Sequence, residues 1–201
     1  LKKENAIIAM LVILMDKLIL VNRNNYFDER FLDSIELYDY ITYDDRDIRV
    51  ERETFEAFRQ LQAHLRVDDI EIELYDGYRS LEAQENIMLD CIKKYGKEYA
   101  LENVAMPGTS DHHTGLAIDI ALKVDDKWLV NVDDMLKYAE ILYKIYKDLK
   151  HFGFVLRYPL GKEDITGYSY NPRHFRYVGV DNAKKMDGLT LEEFWEKNGK
   201  E

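Results

Sequence analysis

Residues 110–122 read SDHHTGLAIDIAL, and this stretch joins a dense group of ionisable side chains to an alternating apolar run. In an extended chain Ile118 and Ile120 fall on one face, and Asp119 falls on the other. The alternation therefore predicts a strand that packs its isoleucines against a core and presents Asp119 on the opposite side.

Regular apolar patterns continue on both sides of this stretch. In some segments apolar side chains repeat at helical spacing, and in others they alternate with polar ones as in a strand. Helices are predicted at 51–66, at about 80–95 with Ser80 as the cap, at about 133–150 and in LTLEEFWEK near the end. Strands are predicted at 70–75, at 152–158 and at about 174–178. Helices interleaved with strands predict an α+β fold, a single domain with a mainly antiparallel sheet flanked by helices.

Composition limits the class of protein. The chain has 201 residues, of which 46% are hydrophobic and 12% aromatic, as is typical of one globular domain. Its 28 basic and 39 acidic residues leave a formal charge of -11, which argues against a general affinity for nucleic acid or for an anionic membrane. The single cysteine, Cys91, excludes an internal disulfide and any CxxC metal site.

The N-terminal segment has two interpretations. AIIAMLVILM (residues 6–15) follows Lys2 and Lys3, as the apolar region of an export signal would. It is too short to span a bilayer, and no small-residue cleavage site follows, so we expect a packed helix or strand and no integral membrane span. The cytoplasm is then the favoured location, and the cell envelope is the alternative if residues 1–15 are the remnant of an export signal.

Three side chains are candidates for a metal site. His112 ends a loop, Asp119 lies on the exposed side of the predicted strand, and His174 lies in GYSYNPRHFRYVG (residues 167–179). Two nitrogens and one oxygen suit zinc and leave a fourth position open to water. The spacing alone is weakly specific, since a strand aspartate can instead pair with an arginine. His113 should point away from the site in an extended chain, as a polar supporting residue.

Four motifs, in order along the chain, carry a resemblance to a known family. They are GYRSLEAQ, SxHxxGxAxD as it stands in SDHHTGLAID, FGFVLRYP and TGYSYNPRHFRYVG. They resemble the bacterial zinc D-Ala-D-Ala carboxypeptidases and dipeptidases of the vancomycin-resistance type, and the related L,D-carboxypeptidases that trim peptidoglycan stem peptides. The resemblance runs from about Leu18 to Trp195 and implies an extension at 1–17, then a carboxypeptidase-like domain at 18–201 with the Hedgehog-like fold of these peptidases.

The resemblance also implies roles for individual residues. The family's ligands of Zn²⁺ match His112, Asp119 and His174, and its substrate-binding residues match Arg79, Gln84 and Ser110. The implied partner is a peptidoglycan stem peptide or another D-Ala-D-Ala-type peptide, and the implied nucleophile is a zinc-activated water. A guanidinium suits a terminal carboxylate because its paired donors match two oxygens, although an arginine in a turn before a helix can also form a surface salt bridge.

One position departs from the family pattern. The family has Glu-Pro-Trp-His, with the glutamate as general base, where this chain has Asn171, Pro172, Arg173 and His174. An amide cannot accept and return a proton, so a contribution of about 10² to 10⁴ to the rate is lost. The chain is therefore either a zinc carboxypeptidase or a stem-peptide binding protein with weak or absent turnover. A structural domain that has lost its metal site is a third hypothesis.

Other groups near the motifs could take part. Glu163, Asp164 and His113 are candidates to replace the missing base through a water molecule. Arg173 either adds a cation near the metal or lies on the surface. The loop at 123–134 is a candidate lid, in which Trp128 either contacts the substrate or packs in a core.

Overall fold

An antiparallel sheet forms the centre of the computed structural model, which describes residues 17–198. The strands are β1 (Leu37–Ile41), β2 (Asp47–Glu51), β3 (Ile72–Asp76), β4 (Ala117–Val124), β5 (Lys127–Leu129), β6 (Phe154–Leu156) and β7 (His174–Tyr177). The helices are α1 (Arg52–Leu65), α2 (Leu81–Tyr95), α3 (Lys97–Asn103), α4 (Val132–Met135), α5 (Ala139–Leu149), α6 (Glu163–Thr166), α7 (Val180–Met186) and α8 (Leu191–Asn198).

The sheet order is β3-β4-β7-β6, and β5 pairs with β4 as a hairpin. Every pairing in this sheet is antiparallel, and β1 and β2 form a separate antiparallel hairpin that the sequence did not predict. The predicted α+β domain with a mainly antiparallel sheet is therefore confirmed. Within residues 17–198, each helix is too short or too polar to cross a lipid bilayer.

The apolar face of β4 is the centre of the core. Ile118 and Ile120 are fully buried, as the alternation predicted. The helices α1 and α5 belong to the same apolar cluster, through side chains such as Phe58 and Ile145. Burial of this face fixes which side of β4 is turned away from the core, and hence where Asp119 lies.

Two predicted helices differ from expectation. The helix predicted at 133–150 is divided into α4 and α5 by a 3₁₀ turn at Leu136–Tyr138. In α2 the predicted cap is present, since the Ser80 hydroxyl oxygen accepts from the Ala83 N–H at 3.1 Å. The sequence predicted an inner side made of Leu81, Ile87, Met88, Cys91 and Ile92. Met88 is buried as expected, but Ile87 is 37% exposed and the polar Gln84 is buried.

The N-terminal predictions lie largely outside the described part of the chain. The segment at 6–15 is not among the described residues, and neither is most of the extension expected at 1–17. Its division from a domain at 18–201 stays a prediction.

Candidate metal centre and substrate cavity

Three neighbouring strands place the central site residues in one row. Across β4, Asp119 pairs with His174 on β7 and with Asp76 on β3. The 3₁₀ turn at Asp111–Thr114 leads into β4 and brings His112 to the same place. One ligand atom each from His112, Asp119 and His174 lies within 4.8 Å of the others, and all three residues are buried. The structure therefore brings the three predicted ligands together.

His112 is oriented by a backbone carbonyl. Its Nδ1 donates to the Gly77 oxygen at 2.6 Å, which leaves Nε2 unprotonated and 3.7 Å from Asp119 Oδ1. A Cβ on Gly77 would lie 2.3 Å from the Arg49 carbonyl oxygen, so only glycine fits where this carbonyl must be. Burial, aided by the nearby Arg79, lowers the pKa of His112 and favours the neutral ring that a metal requires.

His174 lies between two carboxylates. Its Nδ1 is 3.0 Å from Asp119 Oδ1, and its Nε2 is 4.0 Å from Asp111 Oδ2. Asp111 is fully buried between Arg157 and Arg176. Burial would raise the pKa of Asp111, but attraction to Arg176 and Arg157 outweighs it and holds that pKa below its usual range. Burial opposes the charged form of His174, but the neighbouring carboxylates of Asp111 and Asp119 raise its pKa.

The two oxygens of Asp119 have different neighbours. Oδ1 faces the two histidines, while Oδ2 lies 3.4 Å from Arg79 Nη2 and 3.3 Å from Arg173 Nη2. Burial opposes its charge, yet Arg173 and His112 bring the pKa of Asp119 well below the ordinary value. Asp119 is therefore a carboxylate with one oxygen turned toward the histidine nitrogens.

This donor set fits zinc. Two imidazole nitrogens and one carboxylate oxygen are a common ligand set of catalytic zinc, which keeps its fourth position for water or substrate. The orientation of the rings is consistent with this metal site. Nδ1 of His112 is bonded to Gly77, which leaves its Nε2 for the metal, and Nε2 of His174 points toward Asp111, which leaves its Nδ1. Such outer partners fix the tautomer of a metal-bound histidine.

A cavity of about 540 Å³ opens above the ligand cluster and includes the other predicted site residues. Arg79 Nε donates to Asp76 Oδ2 at 3.0 Å, and Arg79 Nη1 donates to Gln84 Oε1 at 3.2 Å. Gln84 is itself held by a bond from its Nε2 to the Ala105 oxygen at 2.8 Å. Arg79 is thus part of the cavity wall, where it also forms a largely buried ion pair with Asp76 at 2.8 Å. Ser110 is buried in the same wall.

Asn171 and Arg173 also line the cavity. Asn171 Oδ1 accepts from the Arg173 N–H at 3.2 Å, and its own N–H donates to the Tyr158 oxygen at 3.1 Å. Arg173 is not a surface residue: its Nη1 donates to the Val130 oxygen at 2.9 Å, and its guanidinium packs over the Tyr75 ring at 4.9 Å. Of the two alternatives for Arg173, the structure has the cation near the candidate metal site.

The candidates to replace the base are not at the cavity. Glu163 and Asp164 are not among its lining residues. His113 has both nitrogens engaged, since Nδ1 donates to the Arg79 oxygen at 2.7 Å and Nε2 accepts from the Gly108 N–H at 3.0 Å. Burial lowers the pKa of His113, in keeping with this neutral supporting role.

Some site residues were not predicted from the sequence. Asp76 orients Arg79, and Asp111 faces His174, although Asp76 lies beside one motif and Asp111 lies within another. Of the two alternatives for Trp128, contact with the substrate is not seen: its ring stacks on Tyr43 at 4.8 Å and does not line the cavity. Residues 130–133 of the predicted lid do line it.

Known protein families and proteins are similar to this chain over most of its length. The family model described as VanY, D-alanyl-D-alanine carboxypeptidase, matches residues 47–180. The chain is 34% identical over 160 residues to the bifunctional D-Ala-D-Ala dipeptidase and D-Ala-D-Ala carboxypeptidase VanXYC of Enterococcus gallinarum, which covers 76% of this chain and 80% of that protein.

Two solved structures share the fold. The vancomycin-resistance D,D-pentapeptidase VanY of the VanB-type cassette, a mutant in complex with Zn(II), has a TM-score of 0.73 and 30% identity, over 89% of this chain and 98% of the other. VanYB in complex with D-alanine-D-alanine has a TM-score of 0.74 and 31% identity, over 90% of this chain and 98% of the other. On the extent of these matches, the chain belongs to the VanY family of D-alanyl-D-alanine carboxypeptidases.

Proposed function

We propose that this protein is a zinc carboxypeptidase that acts on D-Ala-terminated peptides of the peptidoglycan stem type. The observation that carries the proposal is the convergence of His112, Asp119 and His174 within 4.8 Å beside Arg79 at a cavity. Zinc held by these three residues would lower the pKa of a water molecule and polarise the scissile carbonyl.

The other residues have the chemistry to hold the peptide. Asp76 and Gln84 align the guanidinium of Arg79, so that it meets a terminal carboxylate or the scissile carbonyl with little loss of side-chain freedom. Ser110 adds a hydroxyl to the same wall. We assign substrate binding to Arg79, Gln84 and Ser110, and the metal to His112, Asp119 and His174.

Asn171 favours a second candidate function, a zinc-containing protein that binds the stem peptide with weak or absent turnover. Its amide can hydrogen-bond a water or a peptide group but cannot carry a proton through a reaction cycle. Among the described residues that line the cavity, the carboxylates are Asp119 and Asp133. Since Asp119 is assigned to the metal, Asp133 is the acid left to serve as a base.

The deciding experiment is cleavage of a synthetic stem pentapeptide, followed by mass spectrometry. We would compare the zinc-loaded natural protein with Asn171→Glu, with Asp133→Asn and with a metal-stripped control. We expect Asn171→Glu to cleave about 10² to 10⁴ times faster than the natural protein, because it regains a general base. Stripping the metal, or the change His112→Ala, should abolish release of D-alanine.

Each result separates the two functions. Measurable zinc-dependent cleavage by the natural protein supports the carboxypeptidase, and its loss in Asp133→Asn would identify the substitute base. Calorimetric binding of the peptide without cleavage supports the binding protein. Cleavage that persists in His112→Ala would contradict the assignment of the metal site.

A further inference from the structure

A buried row of charged side chains runs from His174 away from the cavity. Asp111 Oδ2 lies 4.0 Å from His174 Nε2 and 3.2 Å from Arg157 Nε. The other oxygen of Asp111 accepts from Arg176 Nη1. Glu192, on α8, accepts from both terminal nitrogens of Arg157 at 2.8 Å. All of these residues are buried, so the row connects a candidate zinc ligand to α8 through the protein interior.

The two buried arginines also donate to alternate backbone carbonyls ahead of the first hairpin. Arg176 Nη2 donates to the oxygen of Lys17 at 3.1 Å and to that of Ile19 at 2.8 Å. Arg157 Nη2 donates to the oxygen of Val21 at 3.3 Å. A buried guanidinium needs acceptors for its N–H groups, and this segment of backbone supplies several of them.

We call residues 17–22 the strap. The strap is held from its other side by α8, because Trp195 Nε1 donates to the Leu18 oxygen at 2.7 Å and Asn22 Nδ2 donates to Glu192 Oε1 at 3.0 Å. Its leucine side chains pack against the apolar cluster formed with α7 and α8. The strap therefore lies between α8 and the buried row.

The position of Asp111 depends on the strap through Arg176. Among the described residues, the acceptors of the Arg176 side chain are Asp111, the Tyr177 oxygen and the two strap carbonyls, and Nη2 bonds only to the strap. If the strap left, buried N–H groups would lose their acceptors, which costs free energy. The guanidinium would then turn toward other acceptors, and Asp111 would lose a fixed partner.

The junction with the metal site has unused hydrogen-bonding capacity. Within residues 17–198, Asp111 Oδ2, Arg157 Nε and His174 Nε2 are buried and make no hydrogen bond, although they face one another. When His174 binds a metal through Nδ1, its Nε2–H can donate to Asp111. The place at which Asp111 is held then determines how well the ring is oriented for the metal.

We propose that the strap is a positioning element of the metal site, and that its docking on Arg157 and Arg176 and the binding of zinc at His174 stabilise each other. The inference rests on the proposed function for the identity of the metal ligands. Coupling of this kind is reciprocal. The factor by which loss of the strap weakens zinc binding is therefore the factor by which zinc suppresses opening of the strap.

The first test measures zinc affinity of the full chain by competition with a chromophoric chelator. Glu192→Gln keeps the shape of the side chain but removes the charge that holds Arg157, and Trp195→Phe keeps a ring but removes the bond to Leu18. We expect each variant to bind zinc about threefold to tenfold more weakly. Ile145→Val is the control, because it shortens a buried side chain of the main core and lowers stability without touching the row or the strap. It should bind zinc normally.

The second test measures the coupling from the strap. Hydrogen exchange with mass spectrometry follows the peptide 17–25, in which the N–H groups of Asn22 and Asn25 are hydrogen-bonded. Labelling times are kept too short for α1 to exchange, so that global unfolding does not contribute. Saturating zinc should slow exchange in this peptide by the same factor of about three to ten. In His112→Ala, zinc should leave the exchange unchanged.

Three results would overturn the role of the strap. They are natural zinc affinity in both Glu192→Gln and Trp195→Phe, an equal loss of affinity in Ile145→Val, and exchange in the peptide 17–25 that zinc does not alter. A failure of the proposed function looks different. If the protein neither binds nor cleaves D-Ala-terminated peptides, the zinc measurements still report the coupling, and if the metal ligands are wrong, His112→Ala still binds zinc.

Discussion

At the scale of single residues, Asp111 is the carboxylate that faces His174 Nε2. Within residues 17–198, His174 Nε2 makes no hydrogen bond, and it lies 4.0 Å from Asp111 Oδ2. A metal bound to Nδ1 leaves the proton on Nε2, and this N–H can then donate a hydrogen bond to a carboxylate. Asp111 stays ionised because Arg157 and Arg176 flank it.

We therefore expect Asp111→Asn to lower the affinity for zinc by roughly ten- to a hundredfold, as the loss of an outer partner of a metal ligand does. Competition with a chromophoric chelator measures this affinity. The variant also leaves two buried arginines less well neutralised, so circular dichroism must first show that it is folded. Asp126→Asn is the control, since its side chain is almost fully exposed. Equal affinity for zinc in Asp111→Asn and in Asp126→Asn would exclude the role given to Asp111.

At the scale of elements, α2 depends on its cap. Ser80 precedes the helix and accepts from the Ala83 N–H at 3.1 Å, and α2 carries Gln84, which lines the cavity. We expect Ser80→Ala to lower the free energy of unfolding by about 1 kcal/mol, because an N–H at the helix start loses its acceptor. Urea denaturation measures the loss. Ser80→Asp should stay close to the natural protein, and a similar loss in both variants would mean that the cap is not the cause.

The hairpin of β1 and β2 is joined to the main sheet by a hydrogen bond that should respond to alkali. The Tyr40 hydroxyl donates to Glu73 Oε1 on β3 at 2.9 Å. Burial, together with this bond, raises the pKa of Tyr40 from 10.0 to about 12. Because the folded state holds the proton more tightly, the stabilisation is complete below pH 10 and is lost as the pH rises toward about 12.

The expected result is a fall in the urea midpoint between about pH 10 and 12 that is shallower in Tyr40→Phe than in the natural protein. The midpoint followed by circular dichroism at several pH values measures this. Tyr26→Phe changes an exposed tyrosine and should keep the natural pH profile. Identical profiles for the Tyr40 variant and the natural protein would contradict the predicted shift.

At the scale of the whole molecule, zinc should stabilise the fold. The three ligands come from β7, β4 and the turn before β4, so an unfolded chain does not hold them together. A ligand present at a hundred times its Kd adds about 2.7 kcal/mol to the free energy of unfolding. For a domain of this size that corresponds to a rise in Tm of roughly 5 to 11 °C.

Differential scanning calorimetry with and without zinc measures the shift. We expect a chelator to reverse it and His112→Ala to abolish it. His64→Ala is the matched control, since His64 contacts Asp148 and lies outside the ligand cluster. A zinc-dependent shift that survives in His112→Ala would place the metal elsewhere in the protein.

Much of the local structure was predictable from the sequence. The alternation around Asp119 predicted β4, the helical spacing at 51–66 predicted α1, and Ser80 marked the start of α2. The motifs also named the three side chains that meet in the structure. These signals are local, because side-chain periodicity and capping depend on residues within one or two turns of chain.

What the amino-acid sequence determined by itself was therefore which elements form and which side chains carry the chemistry. The tertiary structure decided what those elements face. The row of Asp76, Asp119 and His174 depends on the pairing between strands that are far apart in sequence. Periodicity assigns each residue to a face of its strand, but it does not name the residue that lies opposite on the neighbouring strand. Part of the apolar side predicted for α2 likewise lines a cavity, through Ile87 and Cys91, whereas Met88 on the same side is buried. Helical spacing predicts that a face is apolar, but only packing against the rest of the chain decides what covers it.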